Sequence, residues 1–248
     1  MTVTNQASGT NISEITEGIY RINTPLPPSI VPGGFSFNQY LILDEEPVLF
    51  HTGPRRLFDL VREAVATVMP VERLRHVAFS HVEADECGAL NEWLAVAPQA
   101  APLCGRIAAM VSIDDMADRP PRALGDGGAL ATGRRTLRWI DAPHMPHGWD
   151  CGYLMDETSG TLFCGDLFTQ PGDRTPAITE GDILGPSEAY RRAMDYYSQA
   201  RDGRARLERL AALRPGILAC MHGSAWVGDG AELLLQLAET FERIEVKG

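Results

Sequence analysis

Six consecutive residues, His81-Val82-Glu83-Ala84-Asp85-Glu86, carry one imidazole and three carboxylates. They follow the apolar run Val77-Ala78-Phe79 and precede the amphipathic Leu90-Asn91-Glu92-Trp93-Leu94. An apolar run giving way to a helical pattern places the cluster on a loop at a strand end. Grouped carboxylates repel one another and resist leaving water unless a cation lies among them, so the segment reads as part of a metal site. Acidic residues also favour the first turn of a helix, and on this segment alone that plainer reading stands equal. The rest of the chain has to separate the two.

Several function classes drop out on composition. A formal charge of −11 and a pI of about 5.0 give no basic footprint for nucleic acid or an anionic membrane surface. No apolar run approaches the ~20 residues that span a bilayer. The opening Met1-Thr2-Val3-Thr4-Asn5-Gln6 has neither the basic nor the apolar region of a signal peptide, so a soluble, cytoplasmic protein is expected. Cys87, Cys104, Cys151, Cys164 and Cys220 form an odd, widely spaced set without Cys-x-x-Cys. That pattern fits reduced thiols packed as small hydrophobes better than a disulfide framework or a thiolate zinc cluster. The only lysine is Lys247, which removes Schiff-base chemistry, a phosphate-loop lysine and a Ser-Lys dyad, and no Gly-x-Ser-x-Gly elbow is present.

The 248 residues, 44% hydrophobic, are expected to form one domain, 1–248, with about the first twelve residues frayed. Strand-like runs occur at Gly18 to Ile22, Phe35 to Leu43 and Pro47 to Phe50, the last two joined by a turn at Asp44-Glu45-Glu46. A helix is expected from Arg55 to Val68, then a strand from Arg75 to Phe79, the acidic loop and a helix to about Val96. The Pro- and Gly-rich stretch between Asp114 and Gly133 reads as a long surface loop. Strands follow at Thr136 to Ile140, Cys151 to Met155, Thr161 to Cys164 and Gly216 to Cys220. Ser187 is placed as the cap of a helical segment running to about Leu213 with a break near Asp202-Gly203. A closing helix carries Leu233, Leu234, Leu237, Phe241 and Ile244 on one side. This order suggests a layered α/β architecture with mixed sheets covered by helices.

Of six histidines, His81, His147 and His222 follow strand-like runs at glycine-bearing turns, and Asp166 has the same setting after Leu162-Phe163-Cys164-Gly165. One histidine on such a loop is ordinarily structural; four loops each carrying a donor form a constellation. The series His81-x-Glu83-x-Asp85, His147, Asp166 after eighteen intervening residues, and His222 resembles the metal-ligand series of the metallo-β-lactamase superfamily. It is closest to the diiron domain of flavodiiron proteins, whose first motif reads His-x-Glu-x-Asp-His. The resemblance covers nearly the whole chain and implies a four-layer αββα sandwich of two mixed sheets flanked by helices.

The resemblance also implies that His81, Glu83 and His147 bind one metal, that Asp85 and His222 bind the second, and that Asp166 bridges both. His144 competes with His147; the family spacing favours His147 and leaves His144 beside the ligands or in the pocket. Two departures stand out. Glu86 occupies the final histidine position of the first motif, so the second metal gains a carboxylate ligand or keeps an open position. His51-Thr52-Gly53 replaces the usual Asp-Thr-Gly, which should alter a supporting hydrogen bond. Four carboxylates and three imidazoles suit iron or manganese better than a nitrogen-rich zinc site, so two metal ions are expected, iron first, with zinc or manganese as alternatives. Trp149, Trp226, Phe168 and Met145 are candidates to wall the pocket. The implied function is binding, sensing or reducing dioxygen or a related small molecule, an oxidoreductase-like role with an external electron donor, no flavin on this chain and a homodimer as an option. The competing readings are a metal-dependent hydrolase of ester, lactone, thioester or phosphoester bonds, and a metal-free interaction module.

Overall fold

In the computed structural model the described residues are 1–245, with side chains described as far as Phe241; Ile244's side chain and Lys247 lie outside them. Two sheets stack face to face. The first contains β1 (Thr2–Val3), β2 (Asn11–Thr16), β3 (Ile19–Leu26), β4 (Phe35–Ile42), β5 (Val48–Phe50), β6 (His76–Ala78), β7 (Ala101–Gly105) and β8 (Arg122–Leu124) in that order. It is antiparallel from β1 to β5 and parallel from β5 to β8. The second contains β9 (Ala129–Ala131), β10 (Thr136–Asp141), β11 (Gly152–Asp156), β12 (Thr161–Phe163), β13 (Ile178–Thr179), β14 (Ile217–Ala219) and β15 (Ala225–Val227), in the order β13-β15-β14-β12-β11-β10-β9. Parallel pairing of β12 with β14 and of β13 with β15 makes this sheet mixed as well.

Strand alternation fixes the layers. Tyr40, Ile42, Val48 and Phe50 point inward to meet Leu137, Trp139, Leu154 and Phe163 of the facing sheet. Their neighbours Leu41, Leu49 and Val77 point outward beneath α1 (Phe58–Ala66) and α3 (Leu90–Val96). Leu90, Trp93 and Leu94 are buried there, at roughly 1.5–3 kcal/mol per fully buried large side chain. The four-residue α2 (Ala84–Cys87) precedes α3, and the short α4 (Arg106–Ala108) runs through a π turn into α5 (Asp114–Met116). On the far side α6 (Leu184–Met194), α7 (Gly203–Ala211) and α8 (Gly230–Glu245) cover the second sheet, with Leu207, Leu210, Leu234 and Leu237 packed against Tyr153, Met155 and Leu218. The architecture is the expected αββα sandwich.

The structure differs from expectation in several places. The first residues are paired: β1 lies along β2, and Thr10 and Asn11 are buried, so the opening is an edge strand rather than a frayed tail. The stretch between Asp114 and Gly133 contains β8 and β9, which the glycines disguise. Ser187 sits inside α6, buried with an unpartnered hydroxyl, because the helix begins three residues earlier at Leu184. The acidic loop, expected without a helix of its own, contains the four-residue α2, and α3 follows as the helix expected to about Val96. No helix among the described residues is long and apolar enough to cross a membrane.

Candidate metal centre

The loops following β6, β10, β12 and β14 converge at one end of the sandwich. His81 Nε2 lies 3.1 Å from Glu83 Oε2 and 3.0 Å from His147 Nε2, and His147 Nε2 lies 2.9 Å from Glu83 Oε2. Asp166 Oδ2 completes this group at 3.6 Å from His81 Nε2 and 3.4 Å from His147 Nε2. The other oxygen of the same carboxylate, Oδ1, faces a second group, 3.3 Å from His222 Nε2, which is 3.5 Å from Asp85 Oδ2. Donor atoms of Asp85, Glu86 and His222 lie within 4.8 Å of one another, as do those of His81, Glu83, His147 and Asp166. All seven residues expected from the sequence are therefore brought together, in two clusters with Asp166 between them.

Backbone and side-chain bonds set these positions. Val82 N donates to Asp150 Oδ2 at 2.8 Å, tying the acidic loop to the loop that carries His147. Thr52 N donates to the Glu86 carbonyl and Ala89 N donates to Thr52 Oγ1, so the turn after β5 grips both sides of α2's end. The His222 loop is held from the other sheet: Asn38 Nδ2 donates to the carbonyls of Cys220 and Gly223, Tyr40 Oη to Cys220, and the buried Arg21 to Gly223.

The imidazoles are oriented from behind. His222 Nδ1 donates to the Ser36 carbonyl at 2.8 Å, which leaves the Nε2 lone pair facing Asp85 and Asp166. Behind His81 runs a chain through His51 and Ser80. Ser80 N donates to His51 Nε2 at 3.3 Å, making that nitrogen an acceptor; His51 Nδ1–H then faces Met221 Sδ at 2.8 Å. Ser80 Oγ lies 3.0 Å from His51 Nε2 and 2.9 Å from His81 Nδ1. With the hydroxyl donating to His51, His81 Nδ1–H donates to Ser80 Oγ and Nε2 turns its lone pair into the first cluster. His51 itself adopts φ +66° at the end of β5, and burial pushes its pKa down to about 3, so it remains a neutral relay. Gly165, at φ +48°, permits the close approach, since a Cβ there would stand 3.0 Å from Ser80 Oγ.

The donor set fits metal ions. Both oxygens of the fully buried Glu86 and Oδ1 of Asp166 lack hydrogen-bond donors, and three lone-pair donors from His81, His147 and Glu83 crowd to about 3 Å apart, the edge length of a coordination polyhedron. The titration directions agree. Burial would lower His222, yet Asp166 and Asp85 raise it; burial likewise opposes His81, but Cys151 and Glu83 lift it well above the usual value. His147 and His81 hold Glu83 down at about 2. Asp166 is lowered although burial opposes this, because His222, His81 and His147 surround it. Burial and the charges of Asp166 and Asp85 push Glu86 far up. Without a cation, protons would have to supply the positive charge that this arrangement demands.

Some assignments change. His144 is exposed, in a left-handed turn (φ +64°) whose amide donates to Gly148 O, and its ring belongs to neither cluster. Phe168 and Met145 are core residues, Trp149 is exposed, and Trp226 Nε1 donates to Gly181 O away from the ligands. The actual walls are Phe35 and Phe37, with ring centroids 4.4 and 5.5 Å from His222, and Tyr196, 6.0 Å from His147. Phe35 and Phe37 alternate along β4, two strands before the one that leads into His81, a signal open to sequence reading; Tyr196 gave none. A cavity of about 420 Å³ lined by Val82, Glu83, Cys87, Leu90, Ile113 and Met116 opens beside Glu83. All five cysteines are buried and free.

Comparison with known proteins agrees with this geometry. Residues 35–223 match the family described as ODP family beta lactamase. A putative diflavin flavoprotein A 1 of Nostoc sp. is 26% identical over 231 residues, which cover 84% of this chain and 38% of that protein. The chain thus spans well under half the length of that relative. Rubredoxin oxygen:oxidoreductase of Desulfovibrio gigas superposes with a TM-score of 0.75 at 20% identity, over 92% of this chain and 62% of that one. The metal-soaked flavodiiron core from Synechocystis sp. gives 0.78 at 20% identity, over 93% and 60%. The chain belongs to the ODP family of beta lactamases, and its metallo-β-lactamase-like fold is the one seen in flavodiiron cores.

Proposed function

We propose that this domain is a dinuclear non-haem metal protein that binds, senses or reduces dioxygen or a related small molecule. The observation that carries the reading is the placement of Asp166, whose two oxygens face two separate donor clusters 3.3–3.6 Å away. His81, Glu83 and His147 would hold one ion, Asp85, Glu86 and His222 the other. The oxygen-rich set favours iron or manganese over zinc, and the neighbour from Desulfovibrio gigas is named for a reaction of oxygen. Two such ions, when bound, supply open coordination positions and electrons for a diatomic ligand.

The chain's own residues supply geometry and access. Ser80 and Ser36 fix which imidazole nitrogen faces each cluster. Phe35, Phe37 and Tyr196 line the site with rings that limit water, while the half-exposed Glu83 and the adjoining cavity leave a way in for a small molecule. Sustained reduction would draw electrons from an external donor.

Anaerobic loading with Fe(II), metal analysis and optical spectra on exposure to air test the proposal. Two irons per chain with a near-ultraviolet band that responds to oxygen are expected. Selective retention of two zincs with esterase or lactonase turnover and no oxygen response would replace it with the hydrolase reading.

A further inference from the structure

The two clusters are not chemically equal. The first offers two imidazoles, from His81 and His147, with the carboxylates of Glu83 and Asp166. The second offers one imidazole, from His222, with the carboxylates of Asp85 and Glu86, and Asp166 Oδ1 lies beside it. Glu86 creates the difference. It is wholly buried, neither of its oxygens has a hydrogen-bond donor, and its carboxylate stands among Asp85 and His222. A buried acid without a partner is costly unless a cation accepts its lone pairs.

Donor type then sorts the metals. Imidazole suits iron, and on nitrogen-rich sites the order of divalent affinities places manganese below iron; carboxylates suit manganese and narrow that gap. Glu86 also brings a full negative charge where a neutral ring would leave the second site less anionic. Resting on the dinuclear reading above, we infer that the centre is mixed when manganese is in excess: iron at His81, Glu83 and His147, and manganese at Asp85, Glu86 and His222, with Asp166 between them.

The test uses the full chain, stripped with a chelator and reloaded without oxygen in Fe(II) together with excess Mn(II). Metal content is counted by mass spectrometry, and anomalous scattering at the iron and manganese edges locates each ion in crystals. One iron and one manganese per chain are expected, with the manganese signal at Asp85, Glu86 and His222. Glu86→His should lower manganese content roughly tenfold and replace it with iron. Glu86→Gln, which keeps the volume and removes the charge, should shift the loading in the same direction, and its circular dichroism checks the fold. Two irons in the unaltered chain, manganese spread equally over both sites, or unchanged loading in a folded Glu86→Gln would each overturn the inference while leaving a dinuclear centre standing. Failure to retain metal in either cluster would overturn the dinuclear reading itself.

Discussion

Removing one hydroxyl tests how the centre is held. Ser80→Ala deletes the Oγ that lies 2.9 Å from His81 Nδ1 and 3.0 Å from His51 Nε2, in a residue only 1% exposed. His51 Nε2 keeps the Ser80 amide as a donor at 3.3 Å, so the loss falls mainly on His81 Nδ1–H. A buried donor left unpaired costs about 1–3 kcal/mol. When Nε2 is coordinated the ring must be the Nδ1–H tautomer and its proton becomes a stronger donor, whereas the metal-free ring can change tautomer. The cost therefore falls more heavily on the metal-bound state, and affinity at the first cluster should drop about 10- to 100-fold. A competition titration with a chromophoric chelator under anaerobic conditions measures this, and urea unfolding of the metal-free protein serves as the control. Affinity within threefold of the unaltered protein would refute the relay from His51 through Ser80.

Three further outcomes follow from the structure. Asp166→Asn should leave neither cluster able to retain metal through gel filtration while the chain stays folded by circular dichroism, because one carboxylate serves both. Arg135→Met should cost about 3–5 kcal/mol in urea unfolding, since it removes the only opposite charge bonded to Asp156, which is 0% exposed, lies 2.5 Å from Arg135 Nη1 and keeps only the Thr158 amide and Ser159 hydroxyl as donors; adding Asp156→Asn should recover part of the loss. Burial lowers the pKa of His76 although Glu46 at 2.8 Å opposes this, so below the unfolded value of about 6.5 the unfolded chain binds more protons and stability is lost as the pH falls. His76→Leu should flatten the stability profile on the acid side of that value, as read from thermal midpoints at several pH values.

The clustered donor residues were legible because they sit on loops after apolar runs and carry chemistry that solvent-exposed turns have little use for. The spacing of the resembled family separated His147 from His144, and the structure shows why position matters: His147 reaches Glu83 at 2.9 Å, while His144 turns outward in a left-handed conformation. His51 could be marked as a departure but not given a role, since its partners Ser80 and Met221 lie 29 and 170 residues away in sequence. The pocket walls were hidden for the same reason. An aromatic residue near a ligand in sequence, such as Trp149 or Phe168, need not face it, whereas Phe35 reaches His222 across 187 positions. Ser187 shows the limit of local signals: a good cap residue after proline sits inside a helix because tertiary packing extends the first turn.

The pattern of support explains why the site needs both sheets. His222 belongs to a loop of the second sheet, yet its Nδ1 bonds Ser36 and its loop carbonyls bond Asn38, Tyr40 and Arg21, all on the first. Ser80, which orients His81 of the first sheet, receives the amide of Gly152 from the second on its carbonyl. Each sheet therefore holds part of the other's ligand set, and the donor atoms reach their separations of about 3 Å only when the sandwich is docked in register. Ions bound across that junction would join Asp166 to residues of both sheets, and metal affinity and the stability of sheet docking would then be linked quantities. A substitution that loosens the inner core, far from any ligand, must also weaken metal retention, and metal loading must raise the melting temperature of the whole sandwich.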